Sequence, residues 1–181
     1  MSARLTRRAA LGGAAAATLA SCGGGDPPPS TGPEAGSGAA LLGSIAALEH
    51  AAAAAWGAIG EQLRGEAGEY AAAIRAREQA HAERVTELIR ELGGEPPEGR
   101  PPDEYAPQFP LMRTEAEALR FAADLEEKLV RAHLDALRTL PEEEQRRTVA
   151  EIAAEEAEDL GVVQTLSGEP AAQFPFVTGT Q

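Results

Sequence analysis

The hydrophobic positions of this chain form four helical stripes, and each stripe turns polar near its middle. Apolar residues recur at alternating spacings of three and four, which places them on one face of an α-helix. The four stripes are Leu42, Ile45, Glu49, Ala52, Trp56, Ile59 and Leu63; Ala71, Ile74, Glu78, His81, Val85, Leu88 and Leu92; Leu119, Ala122, Glu126, Leu129, His133, Ala136 and Leu140; and Val149, Ile152, Glu156, Asp159, Val163 and Leu166. Burying a carboxylate is unfavourable unless it is paired, protonated or bound to metal. Its recurrence in four helices indicates a site.

Turn and capping signals divide residues 39–168 into four helices. Helix A is predicted over about 39–64, and helix B runs from the turn at 65–68 to a C′ glycine at Gly93. Thr114 and Glu117 form a capping-box pattern that starts helix C, and Pro141 at a first helical position starts helix D, which ends at Gly168.

Residues 93–113 are rich in proline, which cannot continue a helix. At up to ~3.3 Å per residue this connection can run the length of a bundle of roughly 40 Å. The predicted fold is therefore all-α, a four-helix bundle of two antiparallel hairpins joined by a long crossover.

The second hairpin repeats the first. Adding 77 to the residue number relates Glu49 to Glu126, and adding 78 relates Glu78 to Glu156. Because residues equally far from a hairpin turn lie at one level, the acidic and histidine positions are predicted to form one layer at mid-bundle. Its members are Glu49, Glu78, His81, Glu126, Glu156 and Asp159. A Glu with a His three residues later offers oxygen and nitrogen ligands from adjacent turns, as in carboxylate-bridged two-metal sites.

Several neighbours of this layer have two interpretations. Glu127 is the alternative to Glu126, because a second stripe of Ala123, Val130, Leu134 and Leu137 runs through it. Trp56 and His133 lie about 10 Å along the helix from Glu49 and Glu126, too far to ligate the same ion, and are predicted to be core or supporting groups. His50 points about 100° from Glu49 and is predicted at the rim. The other glutamates, Glu155 among them, are predicted to be solvated.

From about residue 40 to 168 the chain resembles the ferritin-like di-iron carboxylate superfamily, and is similar to exported bacterial ferritin-like proteins. The family pattern has one Glu from each of two helices and Glu-x-x-His from each of the other two. Glu49 and Glu126 match the single glutamates, Glu78 and His81 match one pair, and Glu156 matches the glutamate of the other. The resemblance implies a ferritin-like bundle with a di-iron or di-manganese centre and redox or ferroxidase-type chemistry.

Asp159 departs from the pattern, because it stands where the second histidine belongs. Five carboxylates leave one negative charge in excess over two divalent cations, and the added oxygen ligand favours harder ions such as manganese, magnesium or calcium. Alternatively the second position is lost, no cofactor is bound, and the acids are protonated or paired with Arg75, Arg84, Lys128 or Arg131.

The N-terminus carries the features of export. Residues 1–21 combine the paired Arg7 and Arg8 with a short apolar run and are predicted to be a twin-arginine signal peptide. The sequence ending at Cys22, the only cysteine, resembles a lipobox, so Cys22 is the predicted lipidation site and the membrane is a partner through this anchor alone. The alternative is an ordinary Sec signal peptide with an incidental cysteine. Residues 22–38 are a predicted disordered Gly/Pro/Ser tether, and 169–181 a C-terminal tail. The net charge of -13 disfavours nucleic acid.

Two functions are consistent with these features. The first is a ferritin-like protein on the outer side of the cytoplasmic membrane with a carboxylate-rich dinuclear metal site. The second is a non-enzymatic helical lipoprotein, structural or partner-binding, that keeps a degenerate site; Asp159 is its main support. A solute-binding lipoprotein has only the export features in its favour. The sequence names neither the catalytic residues nor a protein partner.

Overall fold

The computed structural model describes residues 33–168, with side chains from Gly38 onward. This part of the chain forms α1 (Pro33–Gly60), α2 (Gly65–Glu91), the short α3 (Pro102–Tyr105), a 3-10 helix (Ala106–Gln108), α4 (Glu115–Leu137) and α5 (Glu143–Leu166), without a strand. The predicted signal peptide, the predicted lipidation site Cys22 and the predicted tail at 169–181 lie outside the described residues.

The helix ends follow local chemistry. The Thr114 hydroxyl accepts a hydrogen bond from the Glu117 N–H, and the Glu117 carboxylate accepts one from the Thr114 N–H, so α4 starts with the predicted capping box. Gly93 and Gly168 both have φ +73°, the left-handed conformation expected of glycine just after a helix.

Two helices have bounds that differ from the prediction, and the crossover contains a helix that was not predicted. Helix α1 begins at Pro33 and ends at Gly60, so it starts within the predicted tether and stops before Arg64. Pro141 does not start the last helix, because α5 begins at Glu143 and the Arg146 guanidinium donates to the carbonyls of Leu140 and Pro141 in the turn. The proline-rich connection contains a short helix, α3, because Pro102 sits at its first position, where no backbone N–H is needed.

Two apolar clusters show how the hairpins pack. The first joins the end of α1 and the start of α2 to the start of α4, through residues such as Ile59, Ile74 and Leu119. The second joins the start of α1 and the end of α2 to the end of α4 and the start of α5, through residues such as Ile45 and Val149. Since α2 ends at one cluster and α4 starts at the other, the connection crosses the length of the bundle, as predicted.

The crossover is packed against the bundle. The Tyr105 side chain is buried, its hydroxyl accepts a hydrogen bond from the Arg100 N–H at 3.1 Å, and the Arg100 guanidinium lies 4.5 Å from the centre of its ring. Both α3 and the 3-10 helix contact α1. Residues Gly38–Gly60 of α1 are long and apolar enough for a membrane span by length and composition. In this fold they are the core helix that contacts α2, α4 and the crossover.

Candidate metal centre

A layer of buried polar side chains contains all six predicted metal-ligating residues, together with His133. Its members are at most 1% exposed: Glu49, Glu78, His81, Glu126, His133, Glu156 and Asp159. The apolar clusters lie on either side of it. Glu126 is the buried member of the pair left open by the sequence, whereas the Glu127 side chain is 48% exposed and pairs with Arg131. His50 is partly buried outside the layer.

Four of these side chains converge on one point. Each of Glu49, Glu78, His81 and Glu156 offers one ligand atom, and the four atoms lie within 4.8 Å of one another. Three come from the first hairpin and Glu156 from the second. Three carboxylates and one imidazole make a ligand set suited to a divalent first-row transition metal.

The carboxylates of the layer are poorly satisfied by the protein itself. Among the described residues, both oxygens of Glu78 and one oxygen each of Glu126, Glu156 and Asp159 are buried without a hydrogen-bond partner. The oxygens of Glu49 also lack one, although Oε1 lies 3.0 Å from His133 Nε2 at ion-pair distance. Buried oxygens of this kind are costly unless something compensates them. Divalent cations would do so, and the residues present therefore fit a metal centre.

His81 is held by two glutamates of α5. Its Nδ1 lies 2.7 Å from Glu156 Oε1, and its Nε2 lies 2.9 Å from Glu155 Oε2. Glu155 was predicted to be a solvated residue, and this was wrong: its side chain is 40% exposed, but its carboxylate fixes the ring from the edge of the layer. A carboxylate on the far nitrogen of a ligand histidine orients the ring and raises its basicity.

Trp56 and His133 each contact the single glutamate of the opposite hairpin. Trp56 Nε1 donates a hydrogen bond of 2.6 Å to Glu126 Oε1. His133 Nε2 lies 3.0 Å from Glu49 Oε1, while its Nδ1 lies 2.9 Å from the Leu129 carbonyl oxygen. Distance along their own helices could not reveal these contacts, because they cross between helices. Both residues support the glutamates rather than filling the core alone.

Asp159 is paired with an arginine that the sequence did not single out. Arg77 donates from Nη2 to Asp159 Oδ1 at 2.5 Å. The four basic residues considered from sequence pair elsewhere or have no ion pair in the described part of the chain: Arg84 contacts Glu151 and Glu155, and Arg131 contacts Glu127. Arg77 directly precedes Glu78 and therefore belongs to the flank of the stripe, where a solvated side chain is the ordinary expectation.

Burial and mutual repulsion favour the protonated forms of these acids. Burial, together with the charges of Glu156, Glu126 and Glu49, raises the pKa of Glu78 to about 12. Burial and Glu156 raise the pKa of Glu126 to about 10, and burial, opposed by Arg77, raises the pKa of Asp159 to about 6. For His81, burial lowers the pKa but the contacts with Glu156 and Glu155 outweigh it, so that the pKa is raised. A carboxylate in this state must release its proton before it can ligate a cation.

Comparison with known proteins agrees with this fold. The sequence profile of the ferritin-like domain family matches residues 35–169. The chain belongs to the ferritin-like domain family. No curated protein matches it.

Two solved structures resemble the ferritin-like fold of this chain. One is a conserved hypothetical protein, rv2844, from Mycobacterium tuberculosis, with a TM-score of 0.65, 16% identity, and coverage of 72% of this chain and 98% of that chain. The other is the bacterioferritin of Desulfovibrio desulfuricans, whose structure is described as showing its diiron site in different catalytic states. Its TM-score is 0.60 at 19% identity, over 82% of this chain and 96% of that chain.

Proposed function

We propose that this ferritin-like protein binds a dinuclear centre of iron or manganese in the buried layer and carries out redox chemistry of the ferroxidase type. The observation that carries the proposal is the convergence of ligand atoms from Glu49, Glu78, His81 and Glu156 within 4.8 Å, where several buried carboxylate oxygens lack a hydrogen-bond partner among the described residues. The diiron site of the similar bacterioferritin supports a second ion in the same layer.

The carboxylates and the imidazole of the layer would provide ligands for two ion positions. Glu49 and His81 would belong to the first, Glu126 and Asp159 to the second, and Glu78 and Glu156 would lie between them. When bound, iron or manganese supplies one-electron redox chemistry that no side chain in the layer offers. Trp56 and His133 would orient Glu126 and Glu49, and the apolar clusters would keep bulk water from the layer.

Elemental analysis of the purified protein, reconstituted with Fe²⁺ or Mn²⁺, tests this function. We expect about two ions per chain, and a Glu78→Gln variant should lose most of them, because Glu78 would lie between the two proposed positions and an amide is a weaker ligand than a carboxylate. Glu127→Gln is the matched control, since it removes an exposed carboxylate from the same bundle. Substoichiometric metal in the wild-type protein, together with unchanged stability of Glu78→Gln, would exclude a metal centre.

The contact between Arg77 and Asp159 favours a second candidate, a non-enzymatic protein with a degenerate site. In that case an arginine has taken the place of a cation, and the bundle serves a structural or partner-binding role. This candidate predicts that added metal ions leave the thermal midpoint unchanged, whereas the first predicts a rise with metal concentration.

We further propose that the protein is exported by the twin-arginine route and anchored through Cys22 on the outer side of the cytoplasmic membrane. The support is the sequence of residues 1–22, with Arg7 and Arg8 before a short apolar run. At this location the proposed partners are metal ions, bound in the layer, and the lipid bilayer, contacted through the anchor at Cys22.

A further inference from the structure

Equivalent positions of the two hairpins carry ion pairs of opposite polarity. Adding 78 to the residue number relates Arg77 to Glu155 and His81 to Asp159. Across the bundle, His81 Nε2 contacts Glu155 Oε2 at 2.9 Å, and Asp159 Oδ1 contacts Arg77 Nη2 at 2.5 Å. Each pair joins α2 to α5, with one member buried in the layer and the other at its edge. The side chains at the edge are similarly exposed, 40% for Glu155 and 35% for Arg77.

In both pairs the residue at the edge holds one atom of the buried side chain and leaves the other facing the layer. Glu155 holds His81 at Nε2, so that Nδ1 lies beside Glu156 Oε1. Arg77 holds Asp159 at Oδ1, while Oδ2 is buried without a hydrogen-bond partner among the described residues. A ligand fixed at its far atom loses less conformational freedom when the near atom binds an ion.

The net charge of the layer also supports a role for Arg77 at Asp159. The layer has five carboxylates, one more than two divalent cations neutralise. The Arg77 guanidinium supplies the missing positive charge, so the pair of Arg77 with Asp159 is neutral overall, as an uncharged histidine would be. The substitution at Asp159 is therefore compensated within the same ion pair.

On the basis of the proposed dinuclear function, we propose that Arg77 is the positioning residue of Asp159. This pair has, at the second ion position and with reversed charges, the role that the pair of Glu155 with His81 has at the first. Asp159 is then a ligand of the second ion through Oδ2, beside Glu126 and Glu156. The first position contains an imidazole nitrogen and the second contains oxygen alone. The oxygen position selects a harder ion such as Mn²⁺, and the imidazole position is better suited to Co²⁺ or Fe²⁺.

Titration of the full-length purified protein with Mn²⁺, followed by calorimetry, separates the two positions. We expect the wild-type protein to bind two equivalents, and Arg77→Ala to bind one of them at least tenfold more weakly while the affinity of the other is unchanged. Arg75→Ala is the matched control, because it removes an exposed arginine two residues away on the same helix. Fluorescence of Trp56, the only tryptophan, gives an independent reading of the second position, because its Nε1 bonds to Glu126.

Exchange of the pair provides a second test. Arg77→Glu combined with Asp159→His copies the first pair into the second position, and this double variant should bind two Co²⁺ ions with affinities within about threefold of each other. Asp159→His alone places an imidazole beside Arg77, and this variant should bind only one ion, at the first position.

The outcomes distinguish the positioning role from the proposed function. A wild-type protein that binds no ion overturns the proposed function itself. Two equivalents with unchanged affinities in Arg77→Ala overturn only the positioning role. A gain of one equivalent in that variant also overturns it, because Arg77 would then be occupying the second position.

Discussion

At the scale of single residues, the carboxylates of the layer make stability depend on pH. In the folded chain the pKa of Glu78 is raised to about 12 and that of Glu126 to about 10, from an ordinary 4.5. Between the ordinary pKa of a glutamate and the raised pKa of each buried one, the folded protein holds protons that the unfolded chain has released. Raising the pH over this range therefore favours unfolding. The raised pKa values of His81 and His133 act in the same direction.

We therefore expect the ion-free protein to lose stability from pH 6 to pH 9, by at most about 1.4 kcal/mol per pH unit for each proton involved. Urea unfolding after treatment with a chelator measures this slope. Glu78→Gln should flatten it, because a neutral amide cannot lose the proton. A free energy of unfolding that rises with pH over this range would contradict the assignment of buried, protonated acids.

The sequence placed the layer well but missed the residues that hold it. Glu49, Glu78, Glu126 and Glu156 lie on apolar stripes, so the helical period alone predicts their burial. Arg77 and Glu155 lie one position off the stripe, and the period assigns such residues to solvent. The available signal was the repeat, which relates Arg77 to Glu155 just as it relates His81 to Asp159.

At the scale of the helices, local chemistry predicted some ends and not others. The capping box at Thr114 and the glycines at 93 and 168 involve short-range backbone bonds, which the sequence specifies directly. The predicted start of the last helix at Pro141 was wrong, because proline is compatible with both a turn and a first helical position. The turn before α5 is instead secured by Arg146, whose contacts depend on the folded chain.

Thr114→Ala tests whether the capping box contributes to the fold. Its hydroxyl satisfies the Glu117 N–H at the start of α4, and its loss should cost about 1 kcal/mol of the free energy of unfolding. Chemical denaturation measures the change, with Thr86→Ala inside α2 as a control away from any helix start. A destabilisation no larger than that of the control would show that the cap has no special role.

At the scale of the whole molecule, the crossover and the antiparallel pairing were predictable from lengths alone. A connection of residues 93–113 can span the bundle, and proline keeps it from extending either helix. Contacts between the hairpins were not predictable, because they depend on how one hairpin rotates against the other. The bonds from Trp56 to Glu126 and from Arg77 to Asp159 are of this kind.

Anchoring concerns the chain as a whole and has a direct test. In a bacterial host with twin-arginine export, we expect wild-type protein in the membrane fraction and Cys22→Ala in the soluble fraction, because Cys22 is the only predicted site for a lipid. Ser30→Ala in the predicted tether is the control. Equal membrane association of both variants would contradict a lipid anchor at Cys22.

The crossover also has a consequence for the inequality of the two hairpins. If the hairpins were identical chains related by a twofold axis, the residue at position 77 would recur at 155, and both pairs would be alike. Positions 81 and 159 would then carry the same residue, and could not be a histidine and an aspartate. Continuity of the polypeptide removes this restriction, because each half of the gene can change on its own. Because the connection at 93–113 joins the hairpins in one chain, the layer need not be symmetric, and the two proposed ion positions can have different ligands.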